Sequence, residues 1–150
     1  MKKWIISGLV VAALILGGGV FAFKAYKQSR PSPIWVPLTL NPDLPPDKQD
    51  EMAKQLKTKL LERVYLLKAS KDLNLKTEWN LESDDKGADE LAKRMFVKVG
   101  TYDSPEGNVP SINIGVSGMV KERDLSGKIA THLARYVFEF IKRKTPLESQ

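Results

Sequence analysis

The chain has 150 residues, no cysteine, one histidine and a formal charge of +6. Without cysteine, disulfides, thiolate metal sites and cysteine catalysis are excluded. Residues 1–30 hold five basic and no acidic side chains while residues 31–150 hold 19 basic and 18 acidic ones, so the charge excess is concentrated at one end and argues against a nucleic-acid partner.

That end contains the most informative stretch. Trp4–Phe23 is a run of 20 residues without a charge. At about 1.5 Å per helical residue it reaches about 30 Å, the thickness of a bilayer's hydrocarbon core. Lys2 and Lys3 precede it and Lys24, Lys27 and Arg30 follow it, placed to meet anionic lipid headgroups. The reading is a membrane anchor over residues 1–30, with Trp4, Ile5, Leu9, Leu14, Leu16, Phe21 and Phe23 as its anchoring side chains and the lipid bilayer as a partner. A signal peptide is the alternative. Lys2-Lys3 would be its charged region, Trp4–Leu16 its apolar region and Val20-Phe21-Ala22 its cleavage site, releasing a soluble exported domain. Gly17-Gly18-Gly19 suits a break before cleavage or a close-packing helix face. The apolar run continues past Ala22, which favours the retained anchor. A short N-terminal tail ahead of a folded domain gives a single-pass inner-membrane protein with its C-terminal domain facing the periplasm or exterior.

Residues 31–33, Pro-Ser-Pro, read as a stiff spacer. From Ile34 to Leu40 apolar residues alternate, which predicts a strand, with Pro37 placing it at a sheet edge. Asn41–Pro46 is a turn. Asp47 then reads as the N-cap of a helix whose stripe is Met52, Leu56, Leu60, Val64 and Leu67, widened by Ala53, Leu61 and Tyr65. Lys71–Leu75 is a turn with apolar plugs, and Trp79 and Leu81 cover the core edge. Glu82–Lys86 reads as a charged loop, and Ala88–Arg94 as one or two helical turns.

Phe96–Tyr102 and Ser111–Ser117 alternate as two antiparallel strands, with Asp103–Asn108 supplying turn chemistry between them. A second amphipathic helix runs from Lys121 to Arg143 on the stripe Leu125, Ile129, Leu133, Val137 and Phe140, extended by Tyr136 and Ile141. Lys142-Arg143-Lys144 falls at its C-terminal end, where cations complement the helix dipole. Pro146 stops it, leaving residues 145–150 as a frayed tail. The expected fold is α+β: an N-terminal transmembrane helix, then over residues 34–144 a small antiparallel or mixed sheet with two main helices on one face. Its β-α-β-β-α order is partially ferredoxin-like.

Few residues carry chemistry. His132 stands alone, with no Asp or Glu three or four positions away on its helix, and reads as structural. Asp84-Asp85 and Asp89-Glu90 are paired carboxylates in a lysine-interrupted polar segment, read as solvated rather than as an acid–base pair. Gly115-Val116-Ser117-Gly118 lacks the lysine of a phosphate loop. No catalytic residue, cofactor or metal is expected.

Three segments resemble a known family. Val64–Trp79 contains Lys71-Asp72-Leu73-Asn74-Leu75 followed by Glu78-Trp79. Leu91–Val99 reads Leu-Ala-Lys-Arg-Met-Phe-Val-Lys-Val. Ser111–Tyr136 joins an alternating strand to a helix that contains Leu125-Ser126-Gly127-Lys128-Ile129-Ala130-Thr131-His132-Leu133-Ala134-Arg135-Tyr136. Their order and spacing resemble the polysaccharide chain-length determinants, the Wzz-type polysaccharide co-polymerases. Leu125 and Thr131 stand where that family has a small residue and an asparagine. The resemblance implies a shortened form without the family's second membrane helix. It implies a non-enzymatic envelope protein acting by protein–protein contact, as a homo-oligomer or with another protein, in polysaccharide export or assembly. The alternative is a single-pass adaptor subunit of another envelope or secretion complex.

Overall fold

A computed structural model describes residues 24–144. The anchor Trp4–Phe23, with Trp4, Ile5, Leu9, Leu14, Leu16, Phe21 and Phe23, lies outside the described residues, as does the tail. Among the described residues no helix is long and apolar enough to cross a membrane.

The fold is α+β, with a three-stranded antiparallel sheet in the order β1-β3-β2. Strand β1 spans Pro31–Thr39. Helices α1 (Pro46–Leu60), α2 (Arg63–Asp72), α3 (Leu75–Glu78) and α4 (Asp84–Arg94) follow. Strands β2 (Met95–Ser104) and β3 (Gly107–Met119) form a hairpin, and a 3-10 turn (Val120–Glu122) leads into α5 (Arg123–Lys144). Both β1 and β2 run antiparallel to β3. They are therefore parallel to each other, with β3 inserted between them.

Strand alternation sends one set of side chains to the core. Ile34, Val36 and Leu38 of β1 pair with Val116, Ile114 and Ile112 of β3, and Met95, Val97 and Val99 of β2 pair with the same three. Against this face pack Ala53, Leu56 and Leu60 of α1, Leu91 of α4, and Ile129, Leu133 and Val137 of α5. Each fully buried aliphatic side chain contributes about 1.5–3 kcal/mol of transfer free energy, so this layer is the main stabilising term. The other sheet face carries the rows Trp35–Gly115–Phe96, Pro37–Asn113–Lys98 and Thr39–Ser111–Gly100.

Several boundaries differ from the sequence reading. Residues 31–33 are no spacer: Pro31, Ser32 and Pro33 pair with Met119, Gly118 and Ser117. Prolines are tolerated there because they lie on the outer edge. Leu40 N–H donates to the Pro110 carbonyl and Val120 N–H to the Arg30 carbonyl, so even-numbered β1 residues face β3 and odd-numbered ones face outward. Asp47 is not the N-cap of α1. Pro45 holds that position in an extended conformation, Pro46 takes the first helical turn, and Asp47 lies within that turn.

The long helix is two helices. Glu62 is extended (φ −59°, ψ 129°) between α1 and α2, which resets the helical phase. Tyr65 and Leu66 are buried as a result, while Val64 is 82% exposed and leaves the expected stripe. Glu82–Lys86 is not a loop throughout, since α4 begins at Asp84. The Ser83 hydroxyl accepts from the Lys86 N–H, and Asp84 and Asp85 favour the positive end of the helix dipole. The hairpin turn is tighter than expected, with Ser104 pairing with Gly107. Gly107 has φ +119°, a conformation that side chains disfavour.

Candidate binding groove between α2 and α5

Helix α2 presents Tyr65, Lys68 and Asp72 on one stripe, since positions three and seven apart share a helix face. Helix α5 answers with His132, Arg135, Tyr136, Glu139, Phe140 and Arg143, again at helical spacing. Together they line a groove of about 330 Å³. Its floor is aromatic: Tyr65 stacks on Tyr136, with ring centroids 3.9 Å apart at 27°. The groove lies across the seam that joins the two helices.

A polar chain crosses this seam. Tyr65 Oη lies 3.2 Å from His132 Nδ1, and His132 Nε2 lies 3.3 Å from Asp72 Oδ2. Burial, reinforced by Tyr136 and Asp72, pushes the Tyr65 phenol far above its ordinary ionisation range. The phenol therefore stays protonated beside Nδ1. The arrangement has the connectivity of a nucleophile–base–acid relay. Its hydroxyl belongs to a residue only 3% exposed and is held against ionisation, whereas an activated nucleophile needs access and an easily removed proton.

Chemically, the groove offers aromatic faces to a ring or an apolar edge and the cations Lys68, Arg135 and Arg143 to an anionic group. Sequence reasoning missed it because His132 was compared with its own helix, where it has no carboxylate. Its partners lie 67 and 60 residues away in the chain. The available signal was the seven-residue spacing of Tyr65 and Asp72, two turns along one helix face.

The paired carboxylates come to a different place. Arg63 Nη2 meets Asp85 Oδ1 at 2.5 Å and Arg63 Nη1 meets Asp89 Oδ1 at 2.6 Å, which clamps α2 to α4. The hydrogen bonds that Arg63 donates to Asp85 and Asp89 raise its pKa. Glu90 joins a second cluster: Arg94 bonds Glu90 at 2.7 Å and Glu122 at 3.2 Å and lies 4.6 Å from the Trp79 ring centroid. Glu122 also accepts from the Met119 N–H, so this cluster ties the end of α4 to the start of α5. These carboxylates serve as helix ties, and among the described residues no cluster of metal-ligating side chains forms. Comparison with protein-family models, with curated proteins and with solved structures gave no match.

Proposed function

We propose that the chain is a non-enzymatic, membrane-tethered envelope protein whose domain works by protein–protein contact in polysaccharide export or assembly. Trp4–Phe23 is its single-pass tether in the inner membrane, and the domain stands on the periplasmic or outer side. The observation that carries work by contact is the sheet face opposite the core helices, whose outer strands hold exposed aromatics while Ser111 and Gly115 of the central strand are buried. Trp35 and Tyr102 are 48% and 43% exposed there, Phe96 shares the Trp35 row, and no acidic residue interrupts the three rows. Exposed aromatic surface of this kind marks interaction sites.

The strand order, with helices across one face, supports a partial ferredoxin-like unit. The resemblance to chain-length determinants supports the polysaccharide setting. Its three segments fall on α2–α3, α4–β2 and β3–α5, the successive pieces of one fold. A protonated, buried Tyr65 beside His132 supports binding rather than nucleophilic chemistry in the groove.

Affinity capture of the full chain from solubilised membranes, combined with gene deletion, tests this reading. The expected result is recovery of a polysaccharide polymerase together with an altered surface-polysaccharide length distribution. Recovery of secretion components with unchanged polysaccharide would replace it with the adaptor function. A mature chain beginning at Phe23, read by mass spectrometry, would overturn the tether.

A further inference from the structure

The two edges of the sheet are built differently. On β1 the outward positions include Pro31, Pro33 and Pro37, so three of its outward donors are missing and another strand has little to bond. Such prolines are a standard protection of an edge strand. The outer edge of β2 has no such device.

Its orientation follows from the same ladder. The Pro110 carbonyl and the Val120 N–H point toward β1, so even-numbered β3 residues face β1 and odd-numbered ones face β2. The β3 partners of Phe96, Lys98, Gly100 and Tyr102 are Gly115, Asn113, Ser111 and Val109. Those four β2 residues therefore spend their backbone groups inside the sheet, and Val97, Val99 and Thr101 point theirs outward. Among the described residues no backbone bond from beyond the hairpin reaches these outward groups.

We propose that the β2 edge pairs with the β2 edge of a second copy of this chain, in an antiparallel register centred on Val99. This deepens, and rests on, the reading that the domain works by contact. The register is self-complementary. Val99 faces Val99 of the second copy as a hydrogen-bonded pair, and Val97 faces Thr101 on either side of it, so all the outward groups of these residues are paired. On the face opposite the core helices Phe96 meets Tyr102 of the second copy, twice by symmetry, and Lys98 lies over Gly100. Aromatic cross-strand pairs of this kind stabilise sheets. Sliding the register to centre on Lys98 would put two lysines directly opposite each other, which is destabilising. Charges agree at both ends: Asp103 and Glu106, both exposed at the hairpin tip, approach Lys93 of the second copy, whose side chain is 74% exposed. The result is a six-stranded sheet closed by a two-fold axis, with the proline edges outermost.

The absence of native cysteine makes the test direct. In membranes containing the full chain, Val99→Cys is oxidised and compared with Thr39→Cys on the proline edge. Facing Cα atoms at about 5.5 Å permit a disulfide. The expected result is at least about tenfold more covalent dimer at position 99 than at 39, because the paired edge supplies a high effective concentration. Mixed Val97→Cys and Thr101→Cys chains are expected to crosslink to each other. Val99→Pro, which removes an outward donor and leaves the bonds to β3 in place, is expected to convert the dimer to monomer with unchanged circular dichroism. Equal yields at positions 99 and 39, or a dimer that survives Val99→Pro, would overturn the interface. Either outcome leaves the tether and the captured partner of the proposed function to be judged by their own measurements.

Discussion

Tyr65 shows how one side chain can fix the character of a site. Buried against Tyr136 and hydrogen-bonded to His132, it cannot easily lose its proton. Replacing it with phenylalanine keeps the stacking and removes one hydrogen bond, with an expected cost of about 1 kcal/mol. The pH dependence has a definite sign. The folded pKa is raised above the ordinary value of 10.0, so as pH rises through that value the unfolded chain releases the Tyr65 proton first. The unfolded state then binds fewer protons, and stability falls. The contribution is fully present below pH 10 and is lost progressively above it. Thermal unfolding of the detergent-solubilised chain between neutral pH and about pH 11 is expected to show a shallower alkaline decline in Tyr65→Phe than in the parent. Equal declines would mean that the phenol titrates normally. None of this was legible from His132 alone, because a residue's helix neighbours say nothing of what another helix brings to it.

Two glycines separate packing from propensity at the level of the element. A Cβ on Gly115 would press on the Ile34 carbonyl and lie 2.7 Å from Trp35 Cβ, so the central strand needs glycine where β1 crosses most closely. Gly127 lies inside α5 with nothing within 4 Å of an added Cβ. Gly115→Ala is expected to destabilise by about 1–3 kcal/mol through overpacking. Gly127→Ala is expected to stabilise by about 0.5–1 kcal/mol through helix propensity. Thermal midpoints check both, at about 4–8 °C per kcal/mol for a domain of this size. Shifts of the same sign would contradict the packing described for the sheet.

The strands and α5 were legible because alternation and helical spacing write burial directly into the chain: Ile112, Ile114 and Val116, and Ile129, Leu133 and Val137, are all buried. The break between α1 and α2 was not legible. Leu60, Val64 and Leu67 continue a helical spacing straight through it, and neither Gly nor Pro marks Glu62. Only the tertiary fit, which turns Tyr65 and Leu66 inward, reveals it. The start of α4 was hidden for the opposite reason. Its charges suggested a loop, while the informative residue was the Ser83 cap, and Asp85 and Asp89 were held by Arg63 from a different helix.

The whole molecule is asymmetric from front to back. Helices bury one sheet face, and the other presents Trp35, Phe96, Lys98 and Tyr102 with no acidic side chain among its rows. The sequence showed the alternation that creates both faces. It did not show that Trp35 and Phe96 share a row, because that depends on a register between residues 61 positions apart, with β3 between them. The β1 prolines also changed meaning at this scale. They protect an edge, and the domain begins within two residues of the helical segment 24–28, with no stiff arm at 31–33.

On the proposed function, the sheet face opposite the core helices makes the partner contact. The most direct measurement is affinity capture from membranes of full chains carrying Trp35→Ser and Phe96→Ser together. Both positions lie outside the buried core, so the fold should persist, as circular dichroism and the thermal midpoint can verify. A folded, membrane-retained double variant is expected to lose at least about tenfold of its captured partner, the scale of aromatic anchors at an interface. Undiminished capture by that folded variant would contradict it.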